Sequence, residues 1–212
     1  MATQENNLVR GSIGGWIYSV DPVTKKQVIR RKPKKVRNPQ TPAQESHRAA
    51  FINIVRLSSR MTEAHLIGLH RHAQRMKLRT YADFRHLNRD CFTPDGQIDY
   101  PRVVLSRGPV APVFVRQLQL GDDGRLLLAF EPCLGQPDAA PDDELYLFVY
   151  DAASGAAFLA PPVRRSAGAL DLQLPDECAG ARRHIYVFLR DRKGRTSDTI
   201  YVPWTPSFVE SL

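Results

Sequence analysis

The apolar residues of this chain change their spacing once, near Gln97, and that change limits the folds open to it. From Thr41 to Gln97 they recur three and four positions apart; after it they alternate, and ahead of Thr41 residues 27–30 read as a short return strand. Thr41-Pro42-Ala43-Gln44 has the chemistry of a helix start. Thr41 serves as the cap, Pro42 occupies the first helical position, and Gln44 completes a capping box. Ala50, Phe51, Ile54, Val55, Leu57 and Met61 then form a stripe, which predicts an amphipathic helix over about residues 42–60. A second helix is expected from 62 or 63 to about 74, with Leu66, Leu69 and Ala73 on one face. A third starts at Thr80, turns Phe84, Leu87 and Cys91 inward, and stops at the Pro94-Asp95-Gly96 turn.

Beyond Gln97 the alternation predicts strands at 98–105, 113–120, 125–131, 144–150, 157–160, 169–174, 184–190 and 196–202. Leu170-Asp171-Leu172-Gln173-Leu174 is the cleanest of them. Asp122-Asp123-Gly124 and Arg192-Lys193-Gly194-Arg195 have hairpin-turn chemistry. Short strands joined by Pro-, Gly- and Asp-rich loops read as an immunoglobulin- or fibronectin-III-like antiparallel β-sandwich, although antibody-type Cys…Trp…Cys spacing is missing. Trp204 is expected to close the end of that sandwich. The whole reads as an α+β chain in three parts: a glycine-rich, basic arm or hairpin at 1–40, a helical region at 41–96, and the sandwich at 97–212.

Charge divides the chain in a similar way. Residues 1–90 hold 18 Lys and Arg against 6 Asp and Glu, whereas residues 91–212 hold 12 against 16. The net charge of +8 is therefore all carried by the front half. Within it, residues 30–37 place six cations among eight positions, and Pro33 and Pro39 forbid a regular helix there. An extended basic segment next to Trp16 and Tyr18 points to an acidic or anionic partner. The residues expected to meet it are Trp16, Tyr18, Arg30, Arg31, Lys32, Lys34, Lys35 and Arg37. Apolar runs at 145–150 and 185–189 fall far short of the roughly 18 residues of a membrane-spanning helix. Residues 1–7 are polar and no apolar signal-peptide core follows. The expected location is cytoplasmic or within a virus particle.

Catalytic signatures are missing from the sequence. His65, His70 and His72 are spaced five, two and seven apart, not the four that would pair two ligands on a helix, and read as surface residues. No serine stands in a Gly-x-Ser-x-Gly elbow. Asp122-Asp123 and Asp142-Asp143 read as solvated loop acids. Gly11-Ser12-Ile13-Gly14-Gly15 lacks the Gly-Lys-Ser/Thr of a phosphate loop. Cys91, Cys133 and Cys178 form no Cys-x-x-Cys pair. In the expected sandwich Cys133 and Cys178 lie at opposite ends, too far apart for a disulfide, so free thiols are expected. The sequence reads as that of a non-enzyme with no cofactor and no metal.

Gly14-Gly15-Trp16, Val28-Ile29-Arg30, Pro33-Lys34, Asn38-Pro39-Gln40-Thr41-Pro42-Ala43-Gln44 and Arg48-Ala49-Ala50-Phe51 stand in one order. Near the end come Ile185-Tyr186-Val187-Phe188-Leu189-Arg190-Asp191, Gly194, and Ser197-Asp198-Thr199-Ile200-Tyr201-Val202. In these motifs the chain resembles an uncharacterised bacterial family of unknown function with relatives among phage and prophage proteins. The resemblance implies a sandwich ending and a structural or adaptor role, such as that of a virion component, and supplies no catalytic residues. The leading expectation is a protein that self-associates or docks into a larger assembly of protein subunits through its first forty residues. The alternative is a nucleic-acid-binding protein using the basic segment and the basic helices.

Overall fold

The computed structural model describes residues 3–5, 8–21, 24–34, 40–93, 97–121, 123–178 and 182–203. The chain divides into two compact units, residues 1–41 and 42–212. Several expected features lie outside the described residues: Lys35, Arg37, the Asn38-Pro39 start of the helix motif, the Pro94-Asp95-Gly96 turn, Asp122 and Trp204.

The first unit is a sheet, where the sequence led us to expect an arm or hairpin. Its strands are β1 (Thr3–Glu5), β2 (Leu8–Ile13), β3 (Trp16–Val20) and β4 (Gln27–Arg31). They pair antiparallel in the order β1-β2-β3-β4. Gly14-Gly15 turns β2 into β3, with Gly14 at φ +56°, which suits the two-residue turns that follow sheet twist. Asp21 helps turn β3 into β4: its carboxylate accepts from the Thr24 N–H at 3.0 Å and its carbonyl from the Lys25 N–H at 2.9 Å. Gln27 ties the strands together sideways. Its side-chain oxygen accepts from the Val9 N–H at 2.9 Å and its amide donates to the Val9 carbonyl at 2.8 Å. The prolines do not explain this sheet; repeated turn chemistry at Gly14-Gly15 and Asp21 does.

The second unit begins with α1 (Pro42–Arg60), α2 (Thr62–Gly68), α3 (His70–Arg75) and α4 (Thr80–Asn88). Two antiparallel sheets follow. One holds β5 (Phe114–Leu120), β6 (Arg125–Glu131) and β10 (Ala169–Gln173) in the order β10-β6-β5. The other holds β7 (Glu144–Asp151), β8 (Ala157–Leu159), β11 (Arg183–Arg190) and β12 (Ile200–Val202) in the order β12-β11-β7-β8. β9 (Val163–Arg164) also pairs with β7.

β7 and β11 are buried on both faces, which explains why their sequences are apolar without a break. Leu145, Leu147 and Val149 of β7 join Ile185, Val187 and Leu189 of β11 in the core shared with the first sheet. The residues between them, Tyr146, Phe148, Tyr150, Tyr186 and Phe188, form a second core with Ile54, Leu57, Met61, Leu69 and Phe84 of the helical region. Aliphatic side chains thus face the partner sheet, and aromatic ones face the helices. At roughly 25 cal/mol per Å² of apolar surface, these two cores supply the main stabilisation of the unit. No helix among the described residues is long and apolar enough to cross a membrane.

Some sequence expectations are corrected here. Residues 98–105 are not a strand: Ile98 makes one bridge to Phe92, and Tyr100–Arg102 is a 3-10 turn. Side chains satisfy that backbone instead of a ladder. The buried Asn88 amide donates to the Val104 carbonyl at 2.9 Å, and its oxygen accepts from the Val104 N–H at 2.7 Å. The Thr199 hydroxyl oxygen accepts from the Leu105 and Ser106 N–H groups at 2.8 Å each. The helix stripes hold except at two residues. Phe51 and Leu66 are exposed, while Ile54, Leu57, Met61, Leu69 and Ala73 are buried. Asp143 is no solvated loop acid: it lies buried against Arg165, its Oδ2 accepting from Arg165 Nε at 3.0 Å.

Candidate interaction surface of the N-terminal sheet

Register decides which of the expected partner-binding residues meet. Trp16 lies opposite Ile13 on one side and Arg31 on the other. Tyr18 lies opposite Gly11 and Ile29, while Ile17 lies opposite Ser12 and Arg30. Directly paired residues project to the same face of a sheet. Ile13, Trp16, Tyr18, Ile29 and Arg31 therefore share one face, and Arg30 belongs to the other. The sequence alone could not separate Arg30 from Arg31, because that needs the pairing.

The shared face is apolar and open. Ile13 is 51% exposed, Trp16 48% and Ile29 55%; Tyr18 is half-buried. Arg30, Arg31, Lys32 and Lys34 are all exposed. β4 is an edge strand, paired only with β3, so its outer backbone groups are unmatched within the sheet. Cations on an edge strand usually discourage unwanted strand pairing. That account covers Arg30, Lys32 and Lys34. It does not cover exposed Trp16, Ile13 and Ile29, which a solvated sheet has no use for. Aromatic, aliphatic and Arg side chains together are the composition enriched at protein interfaces.

Outside this surface, the candidate chemistry settles into structural roles. His65, expected at the surface, is buried at 1% exposure. Its Nε2 donates to the Ser58 carbonyl at 3.1 Å and lies 3.3 Å from the Ser58 hydroxyl. A ring nitrogen that donates to a carbonyl is not free to take a proton from serine, so this pair is not arranged as base and nucleophile. Burial pushes His65 below the usual histidine range, against the opposing effect of its hydrogen bonds. His72 is half-buried, its Nδ1 2.7 Å from Asp83 Oδ2 at the α3–α4 contact. His70 is exposed and bonds Gln74. The three histidines do not converge, and no three His, Cys, Asp or Glu side chains among the described residues are placed to hold a metal ion. Cys91, Cys133 and Cys178 carry free thiols, and burial raises the pKa of Cys91 and Cys178.

A buried cation escaped sequence reasoning altogether. Arg165 is fully buried, donating to Asp143, to the Pro132 carbonyl at 2.9 Å and to the Ala111 carbonyl at 2.6 Å. Nothing in the spacing of Arg165 distinguishes it from its exposed neighbour Arg164. It is an anchor between loops and lines no open site.

The described residues thus define a mixed protein of helices and antiparallel sheets, with an apolar and basic face on its N-terminal sheet. The chain belongs to a family of unknown function, DUF6266, whose pattern it matches over residues 13–202. Comparison with curated proteins and with solved structures gave no match.

Proposed function

We propose that this protein is a non-catalytic structural or adaptor component that self-associates or docks into a larger assembly through the β1–β4 sheet. One observation carries the reading: among the described residues 8–21 and 24–34 no side chain is buried, although the sheet presents Ile13, Trp16 and Ile29 on one face. A sheet of this size needs an apolar face packed against something to be stable. A second copy, or a neighbouring subunit such as one in a phage particle, supplies that cover. The second unit supports the same reading as a scaffold. We read its strand orders, β10-β6-β5 and β12-β11-β7-β8, as an immunoglobulin-like sandwich, with β5, β6 and β10 in the places of strands A, B and E.

Light scattering after size exclusion tests the proposal on the full chain and on a Trp16→Ser, Ile29→Ser double variant. The wild type is expected to assemble, and the variant to run as a monomer whose second unit keeps the wild-type thermal transition. A wild type that stays monomeric at about 100 µM, without a subunit partner, overturns the reading.

The exposed run of Arg30, Arg31, Lys32 and Lys34 favours one second reading, nucleic-acid binding. None of the four has an ion-pair partner among the described residues. Phosphate neutralisation by these side chains makes log affinity fall steeply with log salt. Changing all four to Gln should abolish retention of DNA or RNA. Absence of retention by the wild type at about 50 mM salt removes this reading.

A further inference from the structure

The second unit holds a basic cleft between α3 and the turn that follows β11, remote in sequence from the N-terminal sheet. Its volume is about 530 Å³, and Arg71, Arg190, Arg192 and Lys193 line it together with Leu66 and Ile67. No carboxylate is among its lining residues. Two walls from distant parts of the chain form it, and buried contacts hold them together. The Thr196 hydroxyl, itself buried, donates to the Gly68 carbonyl at 2.8 Å at the corner between α2 and α3. At the same corner Gly68 lets the Leu105–Ser106 backbone pack close, because a Cβ there would lie 2.3 Å from the Leu105 carbonyl oxygen. Above this clamp, Arg71 Nη2 donates to the Lys193 carbonyl at 2.7 Å.

The clamp brings two guanidinium groups over the same small residue. The position of a Cβ on Gly194 would be 3.5 Å from Arg71 Nε and 3.8 Å from Arg190 Nη2. Gly194, at φ +75°, sits in the left-handed region that favours glycine, and the missing side chain leaves the space beneath both groups open. Acids beside the lining residues are engaged: Asp191 accepts from Arg195. Asp142 pairs with Arg192, and Glu144 stands 4.0 Å from Arg190 while accepting from the Tyr146 hydroxyl at 2.7 Å. Arg71 and Lys193 have no carboxylate partner among the described residues. Some exposed arginines elsewhere on this unit are paired, as Arg116 is with Glu131, Arg125 with Asp171 and Arg195 with Asp191.

We propose that this cleft binds a phosphate group, carried by a small phosphomonoester whose remainder lies along Leu66 and Ile67. Converging guanidinium groups match the several acceptor oxygens of phosphate, and a dianion relieves the repulsion between them. The cleft is larger than one phosphate ion needs, and the exposed Leu66 side chain gives an apolar wall for the rest of the molecule.

Calorimetric titration of the full chain at constant ionic strength tests this with three probes: inorganic phosphate, AMP and adenosine. Phosphate and AMP are expected to bind and adenosine not to bind. Tighter binding of AMP than of phosphate identifies the ester as the source, and equal binding identifies the free ion. Arg71→Gln and Arg190→Gln should each weaken binding by about tenfold or more, while Arg75→Gln, which removes the same charge from the same helix outside the cleft, should leave it unchanged. Because Arg190 also approaches Glu144, thermal unfolding is compared first, and Arg71→Gln carries the test if Arg190→Gln does not fold. No binding by the wild type, or equal loss in all three variants, overturns the proposal.

Discussion

Replacing Arg165 by Met removes a charge that the second unit keeps wholly out of water. The Arg165 and Asp143 side chains are 0% and 2% exposed. Arg165 also donates to the Pro132 and Ala111 carbonyls, so one side chain ties together the segments before β5, after β6 and before β7. Asp143 keeps only backbone donors in the variant, chiefly the Ala140 N–H at 3.0 Å. Stranding one partner of a buried ion pair costs roughly 3–5 kcal/mol. The two orphaned carbonyls move the total toward the upper end of that range. A domain is stable by only about 5–15 kcal/mol, so the loss is a large share. Urea unfolding followed by circular dichroism measures it, with urea preferred because it does not screen charge. Asp143→Leu alone should also destabilise, by stranding Arg165. Arg165→Met with Asp143→Leu should then be more stable than the sum of the single losses implies, because no uncompensated charge remains. A cost below about 1 kcal/mol for Arg165→Met, or strict additivity in the cycle, refutes the reasoning.

Two further outcomes follow from other buried contacts. Gly68→Ala drives a Cβ to within 2.3 Å of the Leu105 carbonyl oxygen and 2.7 Å of Ser106 Cβ. Forcing these backbones apart costs about 1–3 kcal/mol, a fall in Tm of roughly 2–12 °C by differential scanning calorimetry; an unchanged Tm would show that the corner yields freely. Burial holds His65 and His184 below the ordinary histidine value of 6.5. The unfolded chain therefore takes up protons as pH falls through about 6.5 while these two folded side chains resist, and stability present above that pH is lost below it. The urea midpoint should drop between about pH 7.5 and 5.5, and His65→Gln should shrink the drop even if it lowers both values. A His65→Gln protein with the full wild-type pH dependence would exclude His65 as a contributor.

How much of this was legible in the sequence differs between elements. The start of α1 at Pro42 follows from Thr41-Pro42, a purely local signal. β6 at Arg125–Glu131 matches the strand expected at 125–131, although Leu126–Phe130 is an unbroken apolar run and the alternation lies only in its burial. The candidate surface was legible as a list of residues, not as an arrangement. Trp16, Tyr18 and Arg31 come together on one face, Arg30 turns away, and only strand pairing makes that distinction.

Periodicity, turn residues and caps act within a few positions, so the chain's own order of residues specified the helices, most strands and the basic character of its front half. Which apolar side chain is buried depends on what covers it. Phe51 and Leu66 belong to good helical stripes yet stay exposed, because the aromatic face of β7 and β11 receives Ile54, Leu57, Met61 and Leu69 instead. His65, Asp143 and Arg165 are polar residues that a local reading leaves in water. Packing removes them from it: the Ser58 carbonyl meets His65 from the preceding helix, and Arg165 finds Asp143 and two carbonyls from distant parts of the chain. The basic cleft has the same origin: Arg71 and Arg190 are 119 positions apart and meet only because Thr196 clamps the helix corner to the second sheet.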